Sequence, residues 1–320
     1  IKMSIINQIQ QFVAVKFKTT LETFLEALKI SPNAQGYVNG SITELLLKQH
    51  LENNQFEVLR IKEKWEGLKH PKHHGDLYIK KNQTDNWYVV ESKGVKSNTE
   101  IWNKLYNYSN LKKFLYDHNE IISWIDHSQD IELQIEQWLG TNLPEVRTWN
   151  TIYSFEEIRK YLASPPRRET EKLVSMRALS AYSRTQIEGI IRQRINYLHT
   201  KLMVLDTHFV SGTSGASERT QATPRKDEFN IISIDIVLRY NEHKFLFANP
   251  QHLDSSGKDE NHLQQNYIMG IVFPQENGQM LINLYEDWYD NIDDVYNTLD
   301  VTDSVQQQDM QIDLRRDLIE

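Results

Sequence analysis

Residues 76–93 read DLYIKKNQTDNWYVVESK, and this stretch restricts the fold more tightly than any other in the chain. Apolar and polar residues alternate over 77–80 and again over 87–90, the period-two signature of strands. The polar run 81–86 between them, with Asn82, Asp85 and Asn86, has the composition of a turn. An antiparallel hairpin follows, and pairing brings the outer ends of its strands together. Asp76, at the start of the first strand, is therefore expected beside Glu91 at the end of the second, fifteen positions away. Glu91 and Lys93, two apart on one strand, face the same side. Tyr88, Val89 and Val90 make that strand apolar enough to be buried, where an acid and a lysine are costly unless paired or put to use.

Two carboxylates converging on one point, with room left for water and a phosphate oxygen, meet the requirements of Mg²⁺, which seldom takes an all-protein cage. An ammonium beside that ion can orient or help deprotonate an attacking water and offset charge on a phosphate in the transition state. The set Asp76, Glu91, Ser92 and Lys93 thus suits metal-dependent phosphodiester hydrolysis, with Asp76, Glu91 and Ser92 on the metal side. The plain alternative is an exposed hairpin in which these residues meet by chance.

In these residues the chain resembles the PD-(D/E)XK nuclease superfamily, whose core runs helix, three strands, helix, strand. Asp76, Glu91 and Lys93 match its motif at ordinary spacing. Gly75 stands where the motif name has proline, a departure that removes no chemical group. A helix over 41–53, with Leu45, Leu46, Leu47 and Leu51 on one side, supplies the first element. It carries Glu44, which in many members sits near the metal; the other reading is a solvated first-turn acid favoured by the helix dipole. Residues 56–61 are the expected first strand, 98–116 the helix after the motif, and 145–151 the last core strand. The resemblance covers roughly residues 40–160. It implies an α/β fold with a restriction-endonuclease-like core, a mixed sheet flanked by helices, and a second α/β domain.

The boundary is expected near SPPRRETE, residues 164–171, where two prolines and a charge cluster interrupt helical patterns. That divides the chain into a catalytic domain over 1–164 and a DNA-recognition or dimerisation domain over 165–320. In the second half the pattern predicts a long helix over 172–199, bearing Arg177, Arg184, Arg192 and Arg194. Strands are predicted over 201–210, 229–240, 243–248, 267–273 and 280–284, with helices over 260–265 and 287–299. This order repeats that of the first half, but Asn249 and Gln251 stand where the acid and lysine would be, so Asp235 is read as a strand residue paired with Arg239 or a neighbour.

The chain carries a net charge of −8, which at first opposes a polyanionic partner. Distribution answers this: residues 159–226 hold thirteen Lys and Arg against five acids, and residues 286–320 hold eleven acids against two arginines. A basic middle permits local contact with phosphates. Within it, residues 211–228, SGTSGASERTQATPRKDE, form a long loop without large apolar residues. Arg219, Gln221, Arg225 and Lys226 are side chains that suit base edges and phosphates, as are Lys96 beyond the hairpin and His73 ahead of it. His70, His73 and His74 are better read as a basic loop than as a zinc site.

Zero cysteines exclude disulfides and thiolate zinc sites, which fits a cytoplasmic protein. No apolar run reaches the length of a membrane span, and residues 1–15 lack the basic flank and cleavage site of a signal peptide; Met3 is the expected native start. No GxxxxGK[ST] motif encodes ATP-driven translocation. The resemblance therefore implies a Type II restriction endonuclease, Mg²⁺-dependent, acting on double-stranded DNA as a homodimer. The alternatives are a structure-specific repair or recombination nuclease and a non-cleaving DNA-binding protein with a nuclease-like fold.

Overall fold

The structure, a computed structural model, describes residues 4–62, 75–95, 107–149, 184–207, 209, 223–240, 242–256 and 259–314. Three helices come first: α1 (Ile5–Phe17), α2 (Leu21–Ile30) and α3 (Pro32–Asn53). Each begins on a hydroxyl cap, Ser4, Thr20 and Ser31 accepting from the backbone N–H of Asn7, Thr23 and Ala34, which satisfies a donor the helix cannot use internally. Gln55, at a φ of 66°, turns the chain from α3 into β1 (Phe56–Arg60). β2 (Leu77–Lys81) and β3 (Tyr88–Gly94) form the expected hairpin, and β3 runs straight through the motif.

After α4 (Tyr108–Asp117) and α5 (Ile131–Asn142) the described chain resumes at α6 (Arg184–His199). There follow β4 (Met203–Asp206), β5 (Ile231–Asp235), the single turn α7 (Val237–Tyr240) and β6 (Phe245–Ala248). The short pair β7 (Ser255–Ser256) and β8 (Asp259–Leu263) precedes β9 (Ile268–Pro274), β10 (Met280–Leu284) and α8 (Ile292–Tyr296).

A five-stranded mixed sheet runs in the order β1-β2-β3-β5-β6. β3 and β5 pair in parallel, from Val90 against Ile231 to Gly94 against Asp235, and the other neighbours are antiparallel. A three-stranded antiparallel sheet, β10-β9-β4, lies against one face. Alternation along the strands sorts their side chains into three cores. Leu47 and Leu51 of α3 pack with Leu77, Ile79, Val90 and Ile231 on the outer face. Tyr78, Val89, Ile232 and Ile234 meet Met203, Leu205 and Val272 between the sheets. Val204, Ile271 and Phe273 pack under α4, α5 and α6. The molecule is thus an α/β structure, a mixed sheet flanked by helices.

Several expected elements differ. Residues 145–148 lie in a 3-10 helix, Pro144–Thr148, in place of a strand. Its one buried apolar residue, Val146, gives little for a sheet to cover. The place beside β3 goes to β5, whose IISID is buried at every position, as a central strand requires. Strands from both sides of the expected boundary at 164 therefore share one sheet, and the second half does not repeat the first as a self-contained layer. Residues 259–263 form a strand where 260–265 were expected to be helical. The predicted strand 229–240 stops at Asp235, whose Oδ1 accepts from Val237 N at 3.0 Å and starts a helical turn. Of the predicted helix 287–299, Ile292–Tyr296 is helical. Residues 98–106, 150–183 and 211–222 lie outside the described residues.

Candidate active site

Asp76 is held by its backbone before its side chain does anything. Its N–H donates to Val90 O at 2.9 Å, and its carbonyl accepts from Ile61 N at 3.0 Å, so it bridges β1 and β3. Gly75 makes this possible: a Cβ there would stand 2.3 Å from Val89 Cγ1 and 2.9 Å from Val90 O. The residue at the motif's proline position must be without a side chain for the chain to come this close to β3. Asp76 Oδ2 then accepts from Ser92 N at 2.7 Å. Lys93 Nζ donates to Glu91 Oε1 on the same strand face. The hairpin reading thus places Asp76, Glu91, Ser92 and Lys93 together.

The electrostatics of this group are strained. Glu91 keeps 14% of its side-chain exposure, and burial, followed by the charge of Asp76, pushes its carboxyl up to about 8 against the pull of Lys93. Burial also raises Asp76, although Lys93, the Ser92 N–H and Arg60 oppose it. For Lys93 burial works against the ammonium, but Glu91, Asp76 and Glu44 outweigh it and hold its pKa above the ordinary value. Two largely buried carboxylates thus lie beside one ammonium, and for Glu91 burial and the Asp76 charge favour the protonated form at neutral pH.

Glu44, on α3, is ion-paired to Arg60 at 2.7 Å, and its charge reaches Lys93. Arg60 was not singled out by the sequence. The signal for it was an arginine closing an apolar strand, since β1 pairs Arg60 with Leu77, the residue next to Asp76. Glu228 is a second omission, its charge adding to the rise at Glu91. Asp235, 1% exposed, is paired with a neighbour, His243, and not with Arg239. Its Oδ2 accepts from Thr43 Oγ1 at 2.8 Å and faces His243 Nδ1 at 2.6 Å, pinning α3 to β5 one residue from Glu44.

Of the expected DNA contacts, Arg225 is clamped on Asp227 through two bonds of 2.8 Å, and Lys226 Nζ donates to Leu253 O. Both are engaged within the protein. Arg219, Gln221, Lys96, His70, His73 and His74 lie outside the described residues.

No protein-family model, curated protein or solved structure matches the chain. Its chemistry has to be read from the site itself. Among the described residues no group of three or more acids or histidines is arranged to hold a metal, and none of their helices is long and apolar enough to cross a membrane. A two-carboxylate site nevertheless fits Mg²⁺, which keeps several waters and takes one or two protein carboxylates. Burial raises both Asp76 and Glu91, and a dication bound between them would oppose that rise.

Proposed function

We propose that this chain is a Mg²⁺-dependent, sequence-specific endonuclease that hydrolyses phosphodiester bonds in double-stranded DNA, in the manner of a Type II restriction enzyme. One observation carries the reading: strand register brings Asp76 onto the Ser92 N–H beside the Glu91–Lys93 pair. The element order is compatible with it, since α3, β1, β2, β3 and α4 follow the order of the PD-(D/E)XK core and β5 takes the place beside β3 after the intervening α5, α6 and β4.

Asp76, Glu91 and Ser92 would hold the metal, which when bound polarises a phosphoryl oxygen as a Lewis acid. Lys93, kept charged by the acids around it, offsets the charge that builds on the phosphate and orients the attacking water. From the neighbouring helix and strand, Glu44 favours the charge on Lys93 and Arg60 favours that on Asp76. One such centre cuts one strand, so cleavage of both strands at a symmetric site calls for two chains about a two-fold axis. The surplus of basic residues over 159–226 is the part of the chain suited to phosphate contacts.

Incubation of plasmid DNA with the full chain and Mg²⁺ tests this. Discrete fragments with mapped, uniform ends are expected. Nicking only at branched or damaged substrates would move the reading to a repair nuclease, and shifted but intact DNA would leave a DNA-binding protein without cleavage.

A further inference from the structure

Apolar exposure is concentrated at one end of the molecule. Of the eighteen exposed large apolar side chains among the described residues, twelve lie on α1, α2 and α3. Ile5 is 68% exposed, Phe12 58% and Tyr37 83%. On α1 the exposed residues Ile5, Ile9 and Phe12 recur at spacings of four and three, while Val13 is turned inward and buried. On α3 Val38, Ile42 and Leu45 recur at the same spacings. Such a period is that of a seam between helices, in which apolar knobs from each fill holes in the other.

Twelve large apolar side chains, each at least 39% exposed on adjacent helices, are more than the scattered single residues that need no explanation, and burying such side chains is what a stable interface, which takes ~800 Å² from each partner, requires. The chemistry of α1 narrows the occupant. Its thirteen residues, IINQIQQFVAVKF, contain one charged side chain, Lys16, and no acid. A partner of opposite charge is not selected by such a face, and the row of Lys and Arg that holds a helix on anionic lipid is missing from it. Two copies of an uncharged seam meet without repulsion.

We infer that α1, with the exposed face of α3, is the surface through which two copies of this chain pair. Leu45 of the α3 seam is adjacent to Glu44, so this pairing would also fix the distance between two candidate active sites. That last consequence rests on the proposed nuclease function, whereas the surface itself does not.

The test uses the full chain without DNA or Mg²⁺. Sedimentation velocity from about 1 to 100 µM should give a dimer, and the double substitution Ile9→Glu, Phe12→Glu should weaken its dissociation constant about a hundredfold with an unchanged far-UV circular dichroism spectrum. Because the chain has no cysteine, a single Ile9→Cys should yield a covalent dimer on mild oxidation, and Lys113→Cys on α4 should not. The cysteine pair decides the matter even if the double variant misfolds. A wild-type monomer throughout this range would overturn the inference, as would a dimer that survives the double substitution and leaves Ile9→Cys uncrosslinked. With no substrate present, a monomer would leave the cleavage reading standing, and a dimer that never cuts DNA would leave this surface standing.

Discussion

At position 75 a methyl group has no place to go. Gly75→Ala forces Asp76 away from β3 or pushes Val89 aside, because both near atoms belong to a buried central strand. We expect a loss of about 1–3 kcal/mol, the usual cost of overpacking a filled site, together with reduced DNA cleavage as Asp76 loses its Ser92 contact. Urea unfolding at pH 7.5 measures the first, and a midpoint equal to wild type would show that the close approach carries no load. Asp76, Glu91 and Lys93 could be read directly from the sequence because the hairpin that assembles them is local. Arg60 carried only the faint signal of an arginine closing an apolar strand, and Glu228 none, since it reaches the site from a segment next to β5, whose placement depends on the whole sheet.

Among the elements, those with strict alternation or strong apolar character stand where their patterns put them: β2, β3, β6, β9 and β10. The errors came from short segments in which pattern and partner disagree. Residues 145–148 have strand-like composition, but β5 has four consecutive buried apolar or small residues before its acid and takes the central position. Residues 259–263 are polar enough to suit a helix surface, yet pairing with β7 makes them a strand. The end of α6 carries a consequence for pH. Burial, and then the charge of Arg239, lower His199 to about 4 from its ordinary 6.5. The unfolded chain therefore takes up this proton first, so the contribution of His199 to stability is constant above pH 6.5 and is lost as pH drops from about 6.5 to about 4. The full shift corresponds to about 3 kcal/mol, and the partial exposure of His199 reduces this to roughly 1–2. His199→Gln should lose that part of the acid slope in melting temperatures taken from pH 7.5 to 4.5. Identical slopes in variant and wild type would contradict it.

For the whole molecule, the strand and helix patterns and the resemblance anticipated an α/β chain but not how its halves combine. The prolines near residue 165 suggested two separate layers, whereas the parallel pairing of β3 with β5 joins residues 141 positions apart, such as Val90 and Ile231, into one sheet. Nothing local in either strand announces that pairing, because any buried apolar strand could have filled the place. β5 also carries Asp235, whose bond to Thr43 ties down the helix bearing Glu44 within electrostatic reach of Lys93, so the candidate centre is assembled by the complete fold around a core that one hairpin encodes. The most direct test of that centre is single-turnover cleavage of plasmid DNA in Mg²⁺ by wild type and Lys93→Ala, with folding checked by circular dichroism and DNA binding by gel shift. Removing the one ammonium that serves two buried carboxylates should slow cleavage by about a thousandfold or more while binding persists. A folded Lys93→Ala protein cutting at the wild-type rate would contradict the assignment of this site.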